Sequence, residues 1–262
     1  MNTYFQQCTA PPLVDMFAAD TADALFRGAQ AGARLGAEAC CMLLASLTEP
    51  HTPATYRQIF SRAGLPVYAT NYRDHQNEGK DDPTLAGELV AIAESGAALC
   101  DVMGDLFDPT PGEMTEHPAA IRQQIALIAQ LHRCGASVLM SSHVKAHLTA
   151  DRVLRIALNQ QNRGADIVKI VVTAQSMAEQ LENLAITERL RAELSVPFLF
   201  LSNGVSAIHR RVGPMMGCCM YLCVRDDTAW PKPDQPSLRA ARAIRDNWWI
   251  IPENTAANKE EP

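Results

Sequence analysis

The stretch ASVLMSSH at 136–143, followed by TADRVLRIALNQQNRG at 149–164 and ADIVKIVV at 165–172, decides the fold. Two short apolar runs flank a segment whose apolar residues recur with the period of an α-helix. Gly164 stands where that helix should end, because glycine readily adopts the positive φ that terminates a last turn. The stretch therefore predicts a strand, a helix and a second strand parallel to the first.

The same alternation of a short apolar run and a longer helical segment occurs eight times along the chain. The first run is LVDMFA at 13–18, and the last is GCCMYLC at 217–223. The runs are apolar on both faces, as expected of buried parallel strands that are covered by helices. Eight such units predict a single-domain (β/α)8 TIM barrel over residues 1–250, with an open doubly wound sheet as the alternative.

Composition limits the kinds of partner that the chain can have. Of its 262 residues, 47% are hydrophobic and 20% are charged, a balance typical of a globular protein. The net charge of −6 provides no basic surface for phosphates, so a nucleic-acid partner is not expected. No apolar run reaches the roughly eighteen residues of a membrane span, and no secretory leader is recognisable. We expect a cytoplasmic protein that acts on a small molecule.

Three further absences in the sequence narrow the class of protein. The eight cysteines include no CxxC pair and no Cys/His spacing of a zinc site, so we expect reduced thiols and no metal. No glycine-rich nucleotide motif follows any apolar run, which removes the main support for a doubly wound sheet. Separately, the tail at 251–262 is polar and contains two prolines with little to bury, and it is expected to be disordered.

Lys169 is the residue that fits least well with the apolar pattern around it. It stands near the end of the predicted sixth strand, between Val168 and Ile170, and active sites of (β/α) barrels lie at the carboxyl ends of strands. Burial disfavours the ammonium form, so a lysine in a dry pocket can condense with a ketone or aldehyde. The alternative is an ordinary lysine that reaches solvent or pairs with an acid.

Three further polar residues lie at the predicted strand ends or in the loops beyond them. His143 ends the fifth strand, beside Lys169, where its imidazole could transfer protons during imine formation and hydrolysis. The alternative for His143 is a surface loop position. Arg73 follows the third strand and Arg210 follows the seventh, and a guanidinium at either place could bind a carboxylate.

The runs VLMSSH and ADIVKIVV, with the later stretch that ends in MMGCCMY, resemble the type I 3-dehydroquinate dehydratase family across roughly residues 12–245. The resemblance implies that His143 and Lys169 are a catalytic pair and that the substrate ketone forms an imine on Lys169. It implies that Arg210 holds the substrate carboxylate. No cofactor is implied, because the covalent imine itself withdraws electrons. A homodimer is expected from the same resemblance.

The resemblance also assigns residues around the catalytic pair, some of which depart from the family pattern. It implies that Arg73 and Gln235 bind the substrate. The family has a glutamate and an arginine in strand two, where this chain has Leu43 and Ala45. Its strand-four glutamate, which assists the histidine, corresponds either to Met103 or to Asp105, depending on the alignment. Asp105 is thus a possible catalytic support.

The resemblance predicts a lyase that dehydrates 3-dehydroquinate to 3-dehydroshikimate and water. The altered strand two keeps open another lysine-dependent lyase or class I aldolase that acts on a different keto acid. A buried polar group without its partner costs about 1–3 kcal/mol, enough to redirect a reaction. A catalytically inactive barrel that retains a ligand pocket is the third possibility, and the retained pair of Lys169 and His143 argues against it.

Overall fold

The computed structural model describes residues 2–225 and 234–247, in which strands and helices alternate as the sequence predicts. The strands are β1 (Leu13–Ala18), β2 (Ala39–Leu43), β3 (Val67–Thr70), β4 (Leu99–Met103), β5 (Ser137–His143), β6 (Ile167–Ala174), β7 (Phe198–Gly204) and β8 (Tyr221–Cys223). The helices are α1 (Tyr4–Gln7), α2 (Ala22–Arg34), α3 (Pro53–Ala63), α4 (Asp82–Glu94), α5 (Pro118–Arg133), α6 (Ala150–Asn162), α7 (Met177–Glu193), α8 (Ile208–Val212) and α9 (Leu238–Asp246). Short 3-10 helices lie at Leu44–Ser46, His75–Asn77 and Gly213–Met216. The tail at 251–262, predicted to be disordered, lies outside the described residues.

The strands form one parallel sheet in the order β7-β6-β5-β4-β3-β2-β1-β8. A doubly wound sheet reverses its strand order near the middle, whereas this order follows the chain. The alternative fold is therefore not the one observed. The order leaves β7 and β8 at the two ends of the sheet, where an isolated parallel bridge joins Phe198 to Cys218.

Local sequence signals set the ends of the helices. The side chain of Thr21 accepts a hydrogen bond from the backbone N–H of Ala24 and so caps the start of α2. Ser176 caps α7 in the same way. Gly64 ends α3 with φ of 71°, and Gly164 follows α6 with φ of 97°. The predicted role of glycine after the helices is confirmed at these two positions.

Across residues 2–225 and 234–247, the helices are too short or too polar for a membrane span.

One face of the sheet carries a group of polar side chains among apolar ones. Successive residues of a strand point to opposite faces, so alternate positions share a face. Strand pairing aligns Ser141 of β5 with Lys169 of β6, and it aligns Met103 of β4 with Ser141. Asp101 lies two residues before Met103. Polar residues from three adjacent strands therefore meet on one face.

Candidate active site

Lys169 lies at the centre of this polar group and is only 3% exposed. Its Nζ donates to the hydroxyl of Tyr72 at 2.8 Å, to the hydroxyl of Tyr68 at 3.1 Å and to Oδ2 of Asp101 at 3.2 Å. Three acceptors match the three N–H bonds of an ammonium group. These three hydrogen bonds therefore hold the amine in a single position.

The position of Lys169 along its strand differs from the prediction. β6 extends to Ala174, because its pairing with β7 continues to the Ala174–Gly204 pair. Lys169 is consequently the third of eight strand residues and lies deeper than the strand end. This depth explains its burial.

Asp101 is the counter-charge of Lys169 and is itself buried. Its Oδ2 accepts hydrogen bonds from Tyr68 and, at 2.6 Å, from Tyr72, while its Oδ1 accepts one from Ser141. Burial acts to raise the pKa of the Asp101 carboxyl, but the charge of Lys169 and the three hydroxyl donors hold it below its usual value. The two groups therefore form a buried ion pair.

Tyr68 and Tyr72 were missed by the sequence analysis, although a signal for them exists. Tyr68 lies in β3 and Tyr72 lies two residues beyond its end, so continued alternation puts both on the inner face with Thr70. Burial raises the pKa of both phenols well above the usual value. Both hydroxyl groups therefore stay protonated at neutral pH and can donate.

The same alternation sends Arg73 to the other side of the chain. Its Nε and Nη2 donate to the carboxylate of Asp82 at 2.7 and 2.8 Å, and its Nη1 donates to Oδ1 of Asp105 at 2.8 Å. Asp105 also accepts from the backbone N–H of Thr110. The structure thus pairs Arg73 with Asp105, and Tyr72 rather than Arg73 reaches Lys169.

His143 ends β5, two residues beyond the strand partner of Lys169, and it lies on the same face nearer the carboxyl edge. Its Nδ1 is 2.6 Å from Oε2 of Glu113, which also accepts the backbone N–H of His143 at 2.9 Å. A carboxylate only accepts, so the neutral ring donates from Nδ1 and leaves Nε2 to accept a proton. Its ring lies edge-on to that of Tyr72, with centroids 5.4 Å apart.

Glu113 therefore stands where the sequence analysis considered Asp105. It belongs to the loop between β4 and α5, with φ of 46°. Its carbonyl accepts from the hydroxyl of Ser142 at 2.7 Å, and Arg163 donates to the carbonyl groups of Gly104 and Thr115 in the same loop. The path of this loop depends on contacts with α6 and β5, which no local pattern in the sequence reveals.

Arg210 and Gln235, the two residues predicted to bind substrate after β7 and in the last loop, contact each other. Arg210 is 8% exposed; its Nε and Nη2 donate to Oδ1 of Asn203 at 2.8 and 2.5 Å, and its Nη1 donates to Oε1 of Gln235 at 3.1 Å. Asn203 lies near the end of β7. Burial lowers the pKa of Arg210 to about 10, so the guanidinium keeps its charge at neutral pH.

The departures from the family pattern lie in buried apolar surroundings. Leu43, Ala45 and Met103 are 8%, 3% and 4% exposed. Leu43 ends β2 and Met103 ends β4, so these carboxyl edges carry apolar side chains. This side of the site differs in polarity from the side formed by Arg210.

The fold is of the β/α class, and its candidate site has polar groups near the carboxyl ends of parallel strands, where such proteins have their active sites. The family model described as type I 3-dehydroquinase matches residues 55–247. The chain belongs to this family.

Individual relatives agree with the family match. The chain is 28% identical over 186 residues to 3-dehydroquinate dehydratase of Geobacillus thermodenitrificans (strain NG80-2), covering 68% of this chain and 66% of the relative. It is 28% identical over 139 residues to the enzyme of the same name from Lactiplantibacillus plantarum (strain ATCC BAA-793 / NCIMB 8826 / WCFS1), covering 51% of this chain and 54% of the relative. The matches thus span just under two thirds and about half of these relatives.

A solved structure extends the similarity in fold over more of the chain. The crystal structure of 3-dehydroquinate dehydratase from Geobacillus kaustophilus HTA426 superposes with a TM-score of 0.77 at 19% identity, covering 91% of each chain. At this identity the superposition establishes a shared fold.

Proposed function

We propose that the protein dehydrates 3-dehydroquinate through an imine between Lys169 and the substrate ketone. The observation that carries the proposal is the buried Nζ of Lys169, which contacts a carboxylate and two phenols at 2.8 to 3.2 Å. Asp101 is close enough to take a proton from the ammonium and so free the amine for attack. Membership of the family supports the choice of substrate.

The protonated imine would serve as the electron sink of the reaction. It acidifies the C–H bond next to the imine carbon, and Nε2 of His143 takes that proton. Electrons of the broken C–H bond form the new double bond as the hydroxyl on the following carbon leaves with the proton from His143. Water then hydrolyses the imine and releases the unsaturated ketone. This route needs no metal or organic cofactor.

Arg210 would bind the substrate carboxylate, with Asn203 and Gln235 holding the guanidinium in place. Replacing Arg210 with methionine should raise the KM for 3-dehydroquinate about thirtyfold, because one charge-assisted interaction is worth roughly 1.5–3 kcal/mol. The kcat should change much less. Arg211→Met is the matched control, since the Arg211 side chain donates to the carbonyl of Ala207, the residue before its own helix. Steady-state kinetics of both variants measure the effect, and an unchanged KM for Arg210→Met would contradict this role.

Glu113 would act as a positioning residue for His143. Glu113→Gln should lower kcat about a hundredfold, the smaller end of the contribution of acid–base catalysis, because the imidazole loses its carboxylate acceptor. The KM should hardly move, since Glu113 is not assigned to substrate binding. Glu116→Gln, an exposed acid on the same loop, should match the unaltered enzyme. Equal kcat values for the two variants would remove Glu113 from the mechanism.

Arg73 and Asp105, in this proposal, hold the chain beyond β3 rather than the substrate. The two ion pairs of Arg73, with Asp82 and with Asp105, fix the backbone next to Tyr72. This assignment replaces the substrate-binding role considered for Arg73 and the support of His143 considered for Asp105.

A turnover assay tests the proposed function. The purified protein should convert 3-dehydroquinate into a product with the ultraviolet absorption of a conjugated ketone. If the protein is folded and gives no such product, 3-dehydroquinate is not its substrate.

A second candidate is a lysine-dependent lyase or aldolase that acts on a less polar keto acid. The apolar side chains of Leu43, Ala45 and Met103 at one side of the site favour it. A panel of keto acids, assayed for imine formation and turnover, distinguishes the two candidates.

We also propose that residues 1–250 form one catalytic domain in which the sheet closes into a (β/α)8 barrel. The support is the Phe198–Cys218 bridge and the hydrogen bond from the N–H of Cys219 to the carbonyl of Phe198 at 2.8 Å. Self-association as a homodimer and a cytoplasmic location stay predictions from the sequence.

A further inference from the structure

Tyr72 is the phenol of the site that reaches towards the open edge of the sheet. Its hydroxyl accepts from Nζ of Lys169 at 2.8 Å and donates to Oδ2 of Asp101 at 2.6 Å. Tyr68 makes the same two kinds of contact but is fully buried, whereas Tyr72 is partly exposed. Tyr72 therefore combines contact with the amine and access to a bound molecule.

The segment that carries Tyr72 is held in place on both sides. Asn77 donates from Nδ2 to the carbonyl of Tyr72 at 2.9 Å and to Oδ1 of Asn71 at 2.7 Å. Asn71 in turn donates to Glu88 at 2.8 Å. On the other side, Arg73 forms its two ion pairs. These contacts keep the hydroxyl of Tyr72 beside Lys169, as a group that takes part in chemistry requires.

Formation of an imine moves two protons from nitrogen to oxygen. A ketone and the ammonium of Lys169 give a protonated imine and one water, so no proton is gained or lost overall. The C–N bond forms as the electron pair of the carbonyl π bond moves to oxygen, and the C–O bond then breaks as water leaves. Both hydrogens of that water come from the nitrogen. Because the two atoms share one carbon, direct transfer requires a strained four-membered ring, and a neighbouring acid–base group avoids it.

We propose that Tyr72 is a catalytic residue that carries these protons, an inference that rests on the imine chemistry proposed above. Asp101 takes the first proton from the ammonium and frees the amine. Tyr72 gives its own proton to the ketone oxygen as the C–N bond forms, and it recovers a proton from Asp101. The second proton of the nitrogen follows the same path, and the oxygen departs as water. The steps run in reverse when the imine is hydrolysed.

The proposal divides the work between two residues. Tyr72, which contacts the amine of Lys169, carries protons to the ketone oxygen, and His143 acts on the C–H bond next to the imine carbon. In the described part of the chain, His143 makes its side-chain hydrogen bond to Glu113 and none to Lys169. A phenol whose pKa is raised by burial keeps its proton until the developing charge on the ketone oxygen takes it.

The test is a time course of borohydride trapping with 3-dehydroquinate, followed by intact-protein mass. Tyr72→Phe should form the Lys169 adduct about a hundredfold more slowly than the unaltered enzyme, the loss expected for an acid–base group. Tyr68→Phe is the matched control, and it should slow trapping by less than about tenfold, because Tyr68 lies deeper in the site and is assigned no proton transfer. In each variant Asp101 keeps three of its four partners, so both proteins should fold.

The mass of the adduct supplies a readout that a purely structural role would not produce. Adducts of Tyr72→Phe should form slowly, yet the bound substrate should have lost the water of the dehydration step, since His143 is intact. Adducts of His143→Ala should form readily and retain that water. Trapping of Tyr72→Phe at the rate of the unaltered enzyme, or equal slowing by Tyr68→Phe, would overturn the inference alone. Absence of any Lys169 adduct in the unaltered enzyme would overturn both the inference and the proposed function.

Discussion

Replacing Lys169 with methionine is expected to lower kcat for 3-dehydroquinate by at least about 10⁴-fold, because the variant has no amine to form a covalent bond. Methionine is an unbranched side chain of similar length that carries no charge. Lys145→Met, at an exposed position on the chain after β5, should retain the activity of the unaltered enzyme. Steady-state assays of the two variants measure the difference.

The fold of Lys169→Met has to be checked because Asp101 loses its cation. Circular dichroism and thermal unfolding provide that control. A folded variant that keeps more than about a hundredth of the activity would contradict covalent catalysis, since losing a nucleophile normally costs far more.

Replacing Asp101 with asparagine is expected to lower the free energy of unfolding by about 3 kcal/mol at neutral pH. The change leaves the ammonium of Lys169 buried without its counter-charge, and breaking a buried ion pair costs about 3–5 kcal/mol. Asp151→Asn is the matched control, because Asp151 forms an ion pair with Arg189 while its side chain is 80% exposed. The control should change the free energy of unfolding by less than about 1 kcal/mol. If both variants lower the free energy of unfolding equally in denaturant titrations, burial of the Lys169–Asp101 pair adds nothing to stability.

The difference between the unaltered protein and Asp101→Asn should depend on pH. The folded state holds the pKa of Asp101 below its usual value, so ionisation of this group stabilises the fold above the unfolded-state pKa of about 4. That stabilisation is lost as the pH falls through the lower pKa of the folded state. Denaturant titrations at pH 7 and at pH near 3 should therefore show a smaller difference at the acidic pH.

The alternation of strands and helices could be predicted because it depends on local patterns. Buried parallel strands are apolar on both faces, and glycines such as Gly164 mark helix ends, so each unit is readable without tertiary information. The lysine was conspicuous for the same reason, as a charge inside an apolar run. The depth of Lys169 within β6 could not be predicted, because the length of β6 depends on pairing with β7.

The site was predicted less completely because its contacts join distant parts of the chain. Arg73 was selected on residue type, and Tyr72 was not considered, although strand alternation assigns the inner face to Tyr72. Asp101 could have been noted as a second buried charge in an apolar run. The role of Glu113 could not have been predicted from the sequence, because its approach to His143 depends on the path of a loop.

Covalent catalysis by Lys169 is tested most directly by peptide mapping after incubation with 3-dehydroquinate and borohydride. We expect a reduced adduct on Lys169, within the stretch ADIVKIVV at 165–172, together with turnover before the reductant is added. Lys169→Met should acquire no adduct under the same conditions. Product formation without an adduct, or an adduct on Lys145 in place of Lys169, would contradict covalent catalysis by Lys169.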